Sequence, residues 1–194
     1  MSTISICFAT NNLHKIEELN ALLGSDIHLL SLTDVGCTEA LAETSATIEG
    51  NSDQKASYVF QKYKVSCFAD DTGLEVEALN GAPGVYSARF AGPEGNAENN
   101  MALLLQKLAT EHNRKARFKT VITYYNSKGE QFQFEGIVNG KIISEKRGAS
   151  GFGYDPIFVA DGYDMTFAEM ELTEKNKISH RALAVKKLVD YLKQ

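Results

Sequence analysis

Asp70 and Asp71 stand together at the end of an apolar run, Val65–Ala69, and Thr72-Gly73-Leu74-Glu75-Val76-Glu77 follows them. Successive side chains on extended backbone point to opposite faces, so these two carboxylates cannot form one dyad. If the alternation persists beyond them, Asp71 shares a face with Glu75 and Glu77. That would be an oxygen set of the kind magnesium takes when it bridges to phosphates. The same residues also read as a solvated acidic turn.

Three further segments carry groups able to do chemistry. Thr10-Asn11-Asn12-Leu13-His14-Lys15 lies where a strand gives way to a helix. Helix N–H groups, a hydroxyl, amides and a Lys suit a phosphate, although Asn12 equally suits a plain helix cap. The segment lacks the glycines of a Walker loop, which disfavours a P-loop. Gly148-Ala149-Ser150-Gly151-Phe152-Gly153-Tyr154-Asp155-Pro156 interleaves flexible glycines with rings; Phe152 could stack on a base, or the loop could be a tight turn with core aromatics. Glu174-Lys175-Asn176-Lys177-Ile178-Ser179-His180-Arg181 leads into the last helix, with Ser179 as its expected N-cap. Arg only donates hydrogen bonds, so Arg181 suits a keto base.

The elements that must position these groups alternate between strand and helix. Ile4–Ala9 reads as a strand, and Ile16, Leu19, Leu22 and Leu23 recur at helical spacing after it. A strand near Ile27–Leu32, a helix at about Asn51–Lys64 and the strand Val65–Ala69 continue the alternation. Asn51 and Lys55, four apart, share one face of that helix. Ala97–Glu111 reads as a helix. Ala116–Tyr125 and Gln131–Val138 read as a hairpin around Ser127-Lys128-Gly129, and Leu183 to Leu192 as an amphipathic C-terminal helix. The expected fold is therefore α/β with a mixed sheet, in one domain spanning 1–194.

Composition narrows the function. The 194 residues are 43% hydrophobic and 23% charged, with a net charge of −5, as for an ordinary globular protein. That charge argues against a nucleic-acid polymer or an anionic membrane as partner, since both need clustered Lys and Arg. Cys7, Cys37 and Cys67 are odd in number and lack the spacing of zinc sites or disulfide scaffolds, so they read as reduced, partly buried thiols. The short apolar start before Thr10 and the lack of an eighteen-residue apolar run make the cytoplasm the expected address.

Taken in order, these segments resemble the inosine triphosphate pyrophosphatase family, house-cleaning enzymes that hydrolyse dITP, ITP and XTP. The matching pieces are Thr10-Asn11-Asn12 with Lys15, Ala69-Asp70-Asp71-Thr72-Gly73-Leu74, Gly81-Ala82-Pro83-Gly84-Val85-Tyr86-Ser87-Ala88-Arg89, Phe152-Gly153-Tyr154-Asp155-Pro156 and Ser179-His180-Arg181. The resemblance implies an elongated mixed β-sheet flanked by helices, two lobes around a central cleft, a homodimer and a magnesium requirement. It implies that Thr10, Asn11, Asn12, Leu13, His14 and Lys15 bind phosphate, that Asp71 is proton acceptor and metal ligand, and that Thr72 touches substrate. Phe152, Gly153, Tyr154, Asp155, Lys175, His180 and Arg181 would surround the nucleoside.

The chain departs from the family pattern at Thr72, where Ser is common, at Asn11, where Gly is common, and at Gly50-Asn51-Ser52, where Glu-Asn-Ala is frequent. With no carboxylate at position 50, Glu43 is the best upstream metal ligand beside Asp71. The expected reaction is water attack between the α- and β-phosphates of a purine nucleoside triphosphate, giving the monophosphate and pyrophosphate. Lys15, Lys55 and Arg89 would supply positive charge. A Maf-like pyrophosphatase would share the general architecture but not the Ser-His-Arg ending, and a nucleotide-binding sensor would be expected to have lost the carboxylates.

Overall fold

The computed structural model describes residues 4–194. Strand β1 (Ile4–Phe8) leads into helix α1 (Leu13–Asn20), and β2 (Ile27–Leu30) precedes α2 (Ile48–Tyr63). Then come β3 (Cys67–Val76), the two-residue β4 (Pro83–Gly84), α3 (Ala97–Lys107), β5 (Lys115–Tyr125) and β6 (Gln131–Ile142). Strand β7 (Phe158–Ala160) and helices α4 (Leu172–Ile178) and α5 (His180–Leu192) complete the chain. The strands form one seven-stranded sheet in the order β2-β1-β3-β5-β6-β7, with β4 on β3. Strand β1 runs parallel to β2 and β3, while β3–β4 and β6–β7 are antiparallel. The fold is thus mixed α/β, as the alternation of elements predicts.

Local chemistry sets the boundaries. Asn12 caps α1, its Oδ1 accepting from the N–H groups of His14 and Lys15 at 3.0 and 3.3 Å. Thr47 caps α2 by accepting from Gly50 N–H at 3.0 Å, so this helix starts three residues before the expected Asn51. Helix α3 stops at Lys107, short of the expected Glu111. The largest correction concerns β3, which does not end at Ala69 but continues through both aspartates to Val76. Carboxylates are poor strand interior residues unless they are charge-compensated, and here they are. The short β7 and α4 carry too little periodicity to stand out in the sequence. Ser179 is the single residue between α4 and α5, and its N–H donates to Lys175 O at 2.8 Å.

The chain divides into two compact units. One comprises the residues up to Asp71, Thr120–Gly136 and Arg181–Gln194; the other comprises Thr72–Lys119 and Ile137–His180. In the first unit, strand alternation sorts side chains onto two faces. Ile6, Phe8, Phe68 and Ile122 pack with Leu19 of α1 and Val185 and Leu188 of α5, whereas Cys7, Cys67 and Ala69 pack with Ala56 and Val59 of α2. The second unit buries Leu74, Leu104, Phe118, Phe158 and Phe167 in its own core.

All three cysteines are buried and free. Burial, with neighbouring negative groups, pushes the thiols of Cys7 and Cys67 up to about 12, so they stay protonated and unreactive. Among the described residues no helix is long and apolar enough to cross a membrane.

Candidate active site

The two aspartates face opposite ways, as strand parity requires. Asp70 lies on the α1/α5 face. Its Oδ1 accepts from Lys15 Nζ at 2.8 Å and its Oδ2 from Arg181 Nε at 3.2 Å, while Arg181 Nη1 donates to Glu18. Arg181 is only 2% exposed. Burial works to raise the Asp70 pKa, but Lys15, Arg181 and Lys55 outweigh it and hold the carboxyl well below the usual carboxylate range. Burial likewise lowers Lys15, against the pull of Asp70.

Asp71 lies on the α2 face. Its Oδ2 accepts from Asn51 Nδ2 at 3.3 Å, and its Oδ1 is 3.8 Å from Lys55 Nζ. Lys55 Nζ also donates to Glu43 and, at 2.8 Å, to Asp70 O. Burial pushes the Asp71 carboxyl up; Lys55 and Lys15 pull it back, and the charges of Glu43 and Asp70 add to the rise. One aspartate is therefore held as a permanent anion and its neighbour is made the better proton acceptor, a division that marks acid–base assignments.

Glu43 and Asp71 both approach the Lys55 ammonium. Glu75 and Glu77 do not join them. Glu75 accepts from Arg117 Nε at 2.5 Å and Glu77 from Asn113 Nδ2 at 3.0 Å. Among the described residues no group of three or more His, Cys, Asp or Glu is arranged to hold a metal. Two hard oxygen donors still fit magnesium, which keeps several waters and is held through one or two carboxylates plus substrate phosphates.

At the start of α1, Thr10 Oγ1 accepts from Asn12 N–H at 3.2 Å. Asn11, Asn12, Leu13 and His14 are exposed, and Lys15 reaches inward. Asn12 is thus a helix cap by geometry. Thr72 sits half-buried on β3 beside Asp71.

In the second unit, Asp155 Oδ2 accepts from Phe152 N–H at 2.9 Å and from Lys175 Nζ at 2.8 Å. The Lys175 ammonium lies 5.4 Å from the Phe152 ring centre and 5.7 Å from that of Phe167. Gly151, with φ +77°, cannot carry a side chain here, because a Cβ would stand 2.3 Å from Asp155 Oδ2. Gly153 turns the chain with φ +63°. Tyr154 belongs to the core, its hydroxyl donating to Ser87 O at 2.9 Å and its phenol pushed up by burial. His180 stacks on Phe118 at 4.5 Å and 14°. Arg89 lies 5.5 Å over the Tyr86 ring.

The residues expected around the nucleoside fall in both units. Phe152, Asp155 and Lys175 come together, Tyr154 and His180 pack into the core, and Arg181 joins the Asp70 ion network of the other unit. Sequence reasoning missed Glu18, although a carboxylate three residues after Lys15, next to the core residue Leu19, signals a buried ion pair. It also missed Phe118 and Phe167, whose signal is indistinguishable from any core aromatic.

An α/β protein with a buried lysine–carboxylate cluster at a strand and a separate ring–ammonium–carboxylate group is equipped to handle phosphates and a flat base. The chain belongs to the Ham1 family, which it matches over residues 6–191. It is 53% identical over 189 residues to the dITP/XTP pyrophosphatase of Flavobacterium johnsoniae, covering 97% of this chain and 98% of that one. It is 50% identical over 188 residues to the dITP/XTP pyrophosphatase of Porphyromonas gingivalis, covering 96% of each. Among solved structures, the Staphylococcus aureus Ham1 protein superposes with TM-score 0.89 at 38% identity, covering 97% of this chain and 98% of that one. A HAM1 protein from Coxiella burnetii gives 0.90 at 34%, covering 98% and 99%.

Proposed function

We propose that this protein is a nucleoside triphosphate pyrophosphatase that removes deaminated purine nucleotides, dITP, ITP and XTP, by hydrolysis to the monophosphate and pyrophosphate. The observation that carries this reading is the pair of adjacent buried aspartates pushed in opposite directions, one pinned by Lys15 and Arg181, the other facing Lys55 and Glu43. The names of the relatives point the same way.

Phosphoryl chemistry asks a protein mainly for positioning and charge neutralisation. Lys15, Lys55 and Arg181 supply three cations against the carboxylates of Asp70, Asp71, Glu43 and Glu18, so the cluster alone is one charge short of neutral. A triphosphate would be repelled by it. This shortfall is what supports a magnesium requirement: Asp71 and Glu43 would hold the ion, and it would supply charge neutralisation to the phosphate oxygens. Asp71 accepts the proton of the attacking water, and Asn51 and Lys55 orient its carboxylate. Lys15 and Lys55 draw the phosphate chain towards Asp71. The helix start at Thr10 to His14 offers further donors.

Base choice follows from donor chemistry. Phe152 stacks on any purine, whereas Lys175 only donates and so suits a 6-keto oxygen. Polar pairing of that kind can discriminate by about 10⁴–10⁵. A homodimer in the cytoplasm completes the reading, supported by the family resemblance. A pyrophosphate-release screen over standard and deaminated nucleotides, with and without magnesium, tests it. Pyrophosphate from ITP, dITP and XTP only with magnesium is expected; release of orthophosphate, or equal turnover of ATP, would overturn it.

A further inference from the structure

Ser52 and Thr123 are both fully buried, and neither belongs to the ligand sets above. Ser52 stands on α2 directly after Asn51 and three residues before Lys55. Its hydroxyl shares one proton between Ala69 O on β3 and Thr123 Oγ1 on β5, each 3.0 Å away, and accepts Thr123 N–H at 2.8 Å. Thr123 Oγ1 in turn accepts from Gln133 Nε2 on β6 at 3.0 Å. One serine thus ties α2 to β3 and β5, and through Thr123 to β6.

Elsewhere α2 meets the sheet through apolar residues such as Ala56 and Val59, through Asp53, which accepts from Tyr125 Oη at 2.7 Å and Gln131 Nε2 at 2.9 Å, and through Lys55 Nζ on Asp70 O. Apolar contact is non-directional and tolerates sliding, whereas a hydrogen bond fixes distance and angle. Ala69 lies two residues before Asp71 and on the same face of β3, so the Ser52 bond sets the helix against the strand where Asn51 and Lys55 must meet Asp71. This chain has a particular need for such a tether. The turn before the helix is built so that a Cβ at Gly50 would stand 2.0 Å from Ser45 Oγ, which leaves a glycine immediately before Asn51. Glycine softens the helix start.

We propose that the Ser52–Thr123 pair is a positioning device for the pyrophosphatase reaction, locking α2 in register with β3 so that Asn51 and Lys55 hold the Asp71 carboxylate. It rests on the role given to Asp71 above. Misplacing groups around a reacting centre costs kcat more than substrate binding.

The test is steady-state kinetics with ITP and magnesium on Ser52→Ala, Thr123→Val, Thr123→Ser and the Ser52→Ala/Thr123→Val double variant, with thermal unfolding of each. Ser52→Ala should lower kcat by about tenfold with KM within about twofold. Thr123→Val keeps side-chain volume and the Ser52–Ala69 O bond but removes the Thr123 hydroxyl that shares the Ser52 proton and accepts from Gln133, so it should lower kcat by a smaller but measurable factor and reads the device even if Ser52→Ala fails to fold. Thr123→Ser should keep nearly full turnover, and the double variant should fall no further than Ser52→Ala, since Ser52 is the hub through which Thr123 acts. A kcat unchanged in folded Ser52→Ala or Thr123→Val, whatever their melting temperatures, would overturn the proposal while leaving the pyrophosphatase reading intact. A wild-type protein that releases no pyrophosphate from any purine triphosphate would remove both.

Discussion

Asp70 and Asp71 are neighbours in sequence and opposites in chemistry, and their variants should behave accordingly. Asp71→Asn keeps the shape and an acceptor for Asn51 but removes charge and basicity, so kcat should fall by about 10²-fold or more. Its stability should hold, because the buried Asp71 carboxylate is disfavoured in the folded state. Asp70→Asn should do the reverse at the level of folding. It leaves Lys15 and Arg181 buried without their shared anion, a loss of about 3–5 kcal/mol. Urea unfolding and turnover measured on both variants check the contrast; equal destabilisation by the two would defeat it. Strand parity made the opposed directions of these residues legible in the sequence. What it could not show was where Arg181 goes, because a donor to a base and a donor to a buried carboxylate look the same in a sequence.

Elements were legible where periodicity is long and obscure where burial overrides residue type. The apolar run of β1 and the apolar stripe of α5 announce themselves, while the extension of β3 through two aspartates depends on Lys15, Arg181 and Lys55, which are remote in sequence. Helix α1 offers a clean test of one element's role. Asn12→Ala removes the acceptor for two N–H groups and should cost about 1 kcal/mol in urea unfolding. If the helix start also receives phosphate, KM for ITP should rise too as its first turn loosens; an unchanged KM in the destabilised variant would make Asn12 a cap alone.

At the scale of the molecule, the lysine–aspartate cluster lies in one unit and the Phe152–Lys175–Asp155 group, to which the proposed function gives the base, in the other. Phe152→Ala should therefore weaken ITP, XTP and ATP alike, by about 1–3 kcal/mol in kcat/KM, without altering the preference between them. A changed ITP-to-ATP ratio would mean that the ring reads the base rather than only stacking on it.

Acid stability tests the whole ion network at once. The folded Asp70 pKa lies below its unfolded value, so between the two the unfolded chain binds more protons. The stabilisation from Asp70 is complete above the ordinary carboxylate value near pH 4 and is lost progressively as the pH falls through the depressed folded value. Asp71 acts oppositely, since its folded pKa is raised and its ionisation with rising pH costs stability in the window just above the ordinary value. Melting temperature should consequently drop steeply below about pH 4 in the wild type. The drop should be shallower in Asp70→Asn, which has no carboxylate there to protonate, and steeper relative to neutral pH in Asp71→Asn, which lacks the opposing term. Parallel melting curves for wild type and Asp70→Asn between pH 5 and 2 would show that the Lys15–Asp70–Arg181 network is not what acid dismantles.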